Sequence, residues 1–99
     1  MGDVVSIDKA REARLKRLYG VDIAWYDKTL ASQGGGCAGC GWAPKPGQRR
    51  LAVDHSHKGD KKVRGLLCFK CNTALKWLRD KPDTAYNLFV YLRKSEQGV

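Results

Sequence analysis

The chain has 99 residues, 42% apolar and 29% charged, a globular balance in a length that makes one small domain. Nineteen lysines and arginines against ten acidic residues set a formal net charge of +9, which excludes an anion-repelling surface and points to nucleic acid as partner. No run approaches the ~18 consecutive apolar residues of a membrane span, and residues 1–9 show no basic patch leading into an apolar stretch, so neither membrane nor signal peptide is expected and an intracellular, cytoplasmic location is.

The charge is not evenly spread. Residues 1–44 carry six basic and five acidic side chains, residues 45–81 carry eleven and three, and residues 82–99 carry two and two. Nearly the whole excess, +8, therefore sits in the central third.

In chain order, Ile7 to Leu18 holds good helix formers without Gly or Pro, and the segment 1–18 reads as a basic N-terminal helix stopped at Tyr19-Gly20. Asp22 can cap a second helix, in which Ile23, Tyr26 and Leu30 share one face. Gly34-Gly35-Gly36 ends it and turns the chain into Cys37. A turn-rich stretch with Pro44 and Pro46 follows. Leu51-Ala52-Val53 and Val63 to Leu67 read as the strands of a hairpin around the polar loop 58–62. Asn72 to Asp80 reads as a third helix with Leu75 and Leu78 on one face, stopped before Pro82. Ala85, Leu88, Phe89 and Leu92 mark a fourth, over 83–94. The class is small α+β in a single domain, 1–99. Trp25, Trp77, Tyr86 and Phe89 stand at helical spacing and are expected in the core, and Trp42 is expected to pack beside the first cysteine pair.

The four cysteines form two CxxC pairs, Cys37/Cys40 and Cys68/Cys71, separated by 27 residues. Each pair sets two thiolates on one tight turn, and two such turns make a tetrahedral sulfur cage for Zn2+. Disulfides would need an oxidising compartment, and a redox CxxC a βαβ setting; neither is indicated. A closed four-thiolate site leaves no open position, so this zinc is structural. In finger peptides such a site contributes on the order of 10–16 kcal/mol, which suits a chain too short for a large core. Four thiolates and one Zn2+ add −2, for a formal charge near +7.

Between the cysteine pairs lies Asp54-His55-Ser56-His57, which contains both histidines of the chain. Asn72 follows the last cysteine directly. A zinc knuckle would thus fix an amide beside a hairpin that carries a carboxylate and an imidazole, a rigid way to build a small polar site. Adjacent strand residues point to opposite faces, so a local irregularity, a strand end or a bulge, is expected at Asp54-His55 if both are to act together.

The segments Val53-Asp54-His55-Ser56-His57 and Val63-Arg64-Gly65-Leu66-Leu67-Cys68-Phe69-Lys70-Cys71-Asn72, with Cys37-x2-Cys40 upstream, resemble the phage recombination endonuclease VII family. That family belongs to the HNH, or His-Me finger, nucleases. The likeness spans about Tyr19 to Leu92, with a hairpin loop about one residue longer than the commonest form. It implies a zinc-stapled ββα-metal core over 37–80 flanked by helices, and a DNA endonuclease acting on branched or duplex DNA, including Holliday junctions, or as a nicking enzyme. Asp54 and Asn72 would hold Mg2+, with Mn2+ as a substitute, through oxygen ligands. His55 would be the general base, since a neutral imidazole can take a proton from water. His57 would assist through phosphate contact or orientation. The resemblance also implies a phage protein in a bacterial host, and leaves a homodimer open. Arg64 could bind the scissile phosphate or pair with Asp54 across the hairpin. Arg49, Arg50, Lys58, Lys61 and Lys62 are candidate DNA-backbone contacts. The rival reading is a non-catalytic zinc-ribbon DNA-binding module, which needs the cysteines and the charge but not Asp54, His55 or Asn72.

Overall fold

Four helices and one hairpin make up the computed structural model, which describes residues 2–57, 59 and 61–98, with side chains from residue 8 onward. Lys58, a candidate DNA contact, lies outside the described residues. The elements run α1 (Gly2–Tyr19), α2 (Ile23–Ser32), β1 (Ala52–His55), β2 (Val63–Leu67), α3 (Phe69–Leu78) and α4 (Pro82–Glu96). The small α+β class is as expected, and so is the order of its parts.

Local chemistry accounts for most of the boundaries. Gly20, at φ +71°, closes α1 in the left-handed conformation that a helix C-terminus favours. The Asp22 carboxylate accepts the Trp25 N–H at 2.7 Å and caps α2, as its position predicts. A second carboxylate, on Glu12, accepts the Ile23 N–H and ties α1 to the start of α2. Gly34 and Gly35, both at positive φ, end α2. The third helix begins earlier than its sequence pattern suggests, at Phe69 rather than Asn72. Its cap is the Cys68 sulfur, which accepts the Cys71 N–H. Cysteine is not among the usual capping residues, so the signal was silent in the sequence.

β1 and β2 pair antiparallel, with Ala52 opposite Leu67 and Asp54 opposite Gly65. The register then slips, and His55 pairs with Val63. This is the irregularity expected at Asp54-His55. The first strand extends two residues beyond its predicted end, so that Asp54 and His55 lie on it.

The core is small. Leu15, Tyr26, Leu51, Val53, Leu66 and Leu67 are buried together with Cys37 and Cys68, and of these Leu66 alone is wholly sealed from solvent. Tyr26 joins α2 to the chain entering β1 by donating its hydroxyl to the Leu51 carbonyl at 2.6 Å. Burial pushes its phenol above the ordinary value, against the pull of the Arg11 and Arg50 charges. The Gln33 side chain closes the outer edge of β2: its amide donates to the Leu66 carbonyl and accepts the Leu66 N–H, as a third strand would. It also holds the Gly36 carbonyl, so one side chain links α2, the first cysteine turn and the sheet.

The aromatic expectations divide. Trp25 packs half-buried against the core. Trp77 is 84% exposed, and Tyr86 and Phe89 are also exposed. The apolar stripe of α4 is real, but the main contact of α4 is with α3, and Leu88, Phe89 and Leu92 remain in solvent. Helical spacing identifies a face; it does not say what covers it. Trp42 is nearly half exposed, and it is its backbone carbonyl that closes the first cysteine turn by accepting the Cys37 N–H.

Candidate metal centre and candidate active site

The two cysteine turns converge. The sulfurs of Cys37, Cys40, Cys68 and Cys71 all lie within 4.8 Å of one another. Cys40 and Cys68 are 3.7 Å apart, far beyond a disulfide bond of ~2.05 Å. Two ligands of a tetrahedral Zn2+ at ~2.3 Å would be separated by about 3.8 Å, so the spacing suits the ion. Backbone N–H groups of Gly39 and Cys68 each point at the Cys37 sulfur at 3.3 Å. Burial raises the Cys37 thiol, but backbone donors from Cys40, Cys68 and Gly39 overcome it and bring the pKa down to about 6. Cys71 goes the other way, pushed up to about 12 by burial and by the neighbouring sulfurs. Four crowded sulfurs cannot all be anionic without a cation among them. Gly39 is required here for space: a Cβ would stand 2.9 Å from the Cys71 sulfur. The cluster could hold zinc.

A second polar cluster surrounds the bulge. Asp54 is 4% exposed, and both its oxygens are taken by Arg64, at 2.7 Å from Nε and 3.1 Å from an Nη. Arg64 is thus a cross-strand partner of Asp54, which decides one of the alternatives left open above. The paired carboxylate holds the Arg64 guanidinium well above its ordinary pKa. A bidentate pair of this kind is among the stronger hydrogen-bonded arrangements. The same Nη reaches Asp80 at 3.1 Å. Asp80 in turn accepts from the His57 backbone N–H at 2.9 Å and lies 3.0 Å from His57 Nδ1. Asp54, Arg64, Asp80 and His57 therefore form a continuous chain that joins the two sides of the bulge.

Asp80 had no place in the sequence reading beyond marking the end of a helix. Arg79 and Asp80 both adopt positive φ, 54° each, and this left-handed step turns Asp80 back toward the hairpin. Such backbone costs roughly 1–2 kcal/mol per non-glycine residue, and the contacts of Asp80 offset it. The His57 N–H and then Arg64 hold its carboxyl down at about 2. A depressed carboxyl contributes stability that is fully present above its unfolded pKa and is lost progressively as pH falls from there through about 2. Asp80→Asn is therefore expected to lower the melting temperature by a few degrees at pH 8 and at pH 5.5 alike. An unchanged melting temperature would show that the Asp80 link adds nothing to stability.

His55 sits half-buried beside this chain. Its ring centroid is 5.3 Å from that of His57 and 6.1 Å from that of Tyr19, and the ring nitrogens make no hydrogen bond among the described residues. Asn72 lies in the first turn of α3, which packs on both strands; it is half-buried, and its side-chain amide has no hydrogen-bond partner among the described residues. Lys61 and Lys62 are exposed at the hairpin loop, where the Lys62 carbonyl accepts the Ser56 N–H. Arg49 and Arg50 are exposed in the segment before β1, in a cleft separate from the Asp80 chain.

The model of the recombination endonuclease VII family matches residues 12–94. The chain is 40% identical over 84 residues to the Gene 59 protein of Mycobacterium phage D29, covering 84% of this chain and 50% of that one. It is 43% identical over 70 residues to the Gene 59 protein of Mycobacterium phage L5, covering 70% and 42%. The chain thus spans about half the length of the curated relatives it matches. No solved structure matches it, and among the described residues no helix is long and apolar enough to cross a membrane. On the extent of the family match, the chain belongs to the recombination endonuclease VII family.

Proposed function

We propose that the protein is a metal-dependent DNA endonuclease of the HNH type, with the hairpin and α3 as its ββα core and zinc in the four-cysteine cluster. The observation that carries this reading is His55: an imidazole without a hydrogen-bond partner among the described residues, one residue from a buried carboxylate, at a bulge. A module that only bound DNA would have no use for this arrangement.

By donor type Asp54 and Asn72 suit a hard cation, a carboxylate and an amide oxygen with no sulfur, and the ion would share the Asp54 carboxylate with Arg64 through the lone pairs that the guanidinium leaves open. When bound, Mg2+ or Mn2+ would stabilise the negative charge that develops on the phosphate and the leaving oxygen. His55 takes the proton from the attacking water. His57, held through Asp80, orients toward the phosphate, and Arg64 holds Asp54 in place through its bidentate pair. The protein acts on DNA in the cytoplasm of a phage-infected cell, with branched junctions among its substrates.

Cleavage of supercoiled plasmid and of a four-way junction by the zinc-loaded protein, with Mg2+ and without, tests this reading. Nicking that requires the ion supports it. Tight binding without cleavage under any divalent ion would favour the non-catalytic zinc-ribbon module.

The reading includes a homodimer. Resolving a junction takes two cuts, and the exposed stripe of Leu88, Phe89 and Leu92 on α4 is an apolar face that a second copy could cover. Sedimentation should give a dimer for the wild type and a monomer for Phe89→Glu. A monomeric wild type at high concentration would remove the dimer from the proposal.

A further inference from the structure

A cleft with a volume of about 890 Å3 lies away from the Asp80 chain, between α1, α2 and the segment before β1. Its charge is one-sided. Arg11 and Arg14 line it from α1, and Lys45, Arg49 and Arg50 line it from the opposite wall, against a single acidic side chain, Asp27. Arg11 is stacked over the Tyr26 ring at 4.7 Å, which fixes its position on the floor. None of the other four has a carboxylate partner among the described residues. Five cations gathered in one concavity repel one another, and an anionic occupant relieves that cost.

The cleft also leads somewhere. Leu51, Ala52 and Val53 line it, and the strand continues directly into Asp54 and His55. Tyr19 lines it as well, and the same ring lies 6.1 Å from His55. An extended polyanion lying in the cleft would run toward the imidazole.

We propose that this cleft binds the sugar-phosphate backbone of one DNA strand flanking the cut and guides it to His55. The inference rests on the nuclease reading and adds to it the strand-binding role of α1. A volume of about 890 Å3 has room for a short run of single strand. A positively charged groove that tracks the backbone is the usual way to hold a single strand.

The test uses the full chain loaded with zinc and free of Mg2+, with fluorescence anisotropy of labelled single-stranded and duplex oligonucleotides across a salt series. Arg14→Gln/Arg49→Gln/Arg50→Gln removes three phosphate contacts, so the slope of log K against log salt for the single strand should become shallower by about 2. Affinity should fall about tenfold or more. Lys76→Gln/Arg93→Gln/Lys94→Gln removes the same charge from α3 and α4, and should change the slope by less than 1. Arg14→Lys/Arg49→Lys/Arg50→Lys should keep the wild-type slope and so guards against a folding defect. Equal losses in both Gln variants, no loss in the cleft variant, or a change seen with duplex alone would overturn the proposal. Cleavage assays separate the two readings. A wild type that binds through the cleft but never cuts refutes the nuclease and leaves the cleft standing. A cleft variant that binds and cuts as well as wild type refutes the cleft alone.

Discussion

Stripping zinc from the protein is expected to erase most of its helical circular dichroism. Among the described residues the apolar core contains six buried side chains besides two of the cysteines, and of these only Leu66 is wholly inaccessible. The sheet has two strands, of four and five residues, and an isolated two-stranded hairpin is marginal in water. Against this stands a metal term on the order of 10–16 kcal/mol, as large as the ~5–15 kcal/mol net stability of an ordinary domain. The cluster also carries topology. Cys37 and Cys40 belong to the turn after α2, whereas Cys68 caps α3 and Cys71 lies within its first turn. Without the ion the two turns have no strong reason to meet, and the high-lying Cys71 thiol takes up its proton. Chelator titration followed by far-ultraviolet dichroism checks this. A cooperative melt retained in metal-free protein would show that the apolar core suffices.

His55→Ala is expected to reduce Mg2+-dependent DNA cleavage by about 10²–10⁴-fold, the range for losing a general base. Affinity for DNA and the dichroism spectrum should stay near wild type. The structural cost is small because the ring is half-buried and holds no hydrogen bond among the described residues. Asp54 makes a useful contrast. It is buried on Arg64, so Asp54→Ala would leave the guanidinium without its bidentate partner and destabilise the hairpin as well as the site. His55 is therefore the cleaner probe. Undiminished cleavage by His55→Ala in the same plasmid assay would refute its role, and the base would have to be sought at His57.

Much of this protein was legible in its sequence. The two CxxC pairs needed only their spacing, because thiolate chemistry and ligand number leave few other uses for them. Asp22 as a cap and Gly20 as a stop follow from local backbone chemistry, which depends on near neighbours alone. A local irregularity was inferable from a conflict, because strand alternation cannot serve two adjacent residues that act together; of a strand end and a bulge, the structure has the register slip between Asp54 and His55. What the sequence by itself determined was thus the class, the cage and the polar residues of the hairpin, each set by short-range periodicity, capping or ligand spacing.

The tertiary structure decided the rest. That Arg64 clasps Asp54, that Asp80 swings back to hold Arg64 and His57, and that Gln33 seals the edge of β2 all depend on residues distant in sequence meeting across a turn or a packing contact. Helical spacing suggested that Trp77, Tyr86 and Phe89 were core, but coverage is a property of neighbours, and α3 alone does not cover α4. The central charge excess of +8 also changed its meaning. Folding brings only part of it, Lys45, Arg49 and Arg50, against Arg11 and Arg14 from a segment whose own net charge is close to zero. A sum over sequence could not reveal that cleft, because the field at a site is set by distance in space, and only the fold assigns those distances.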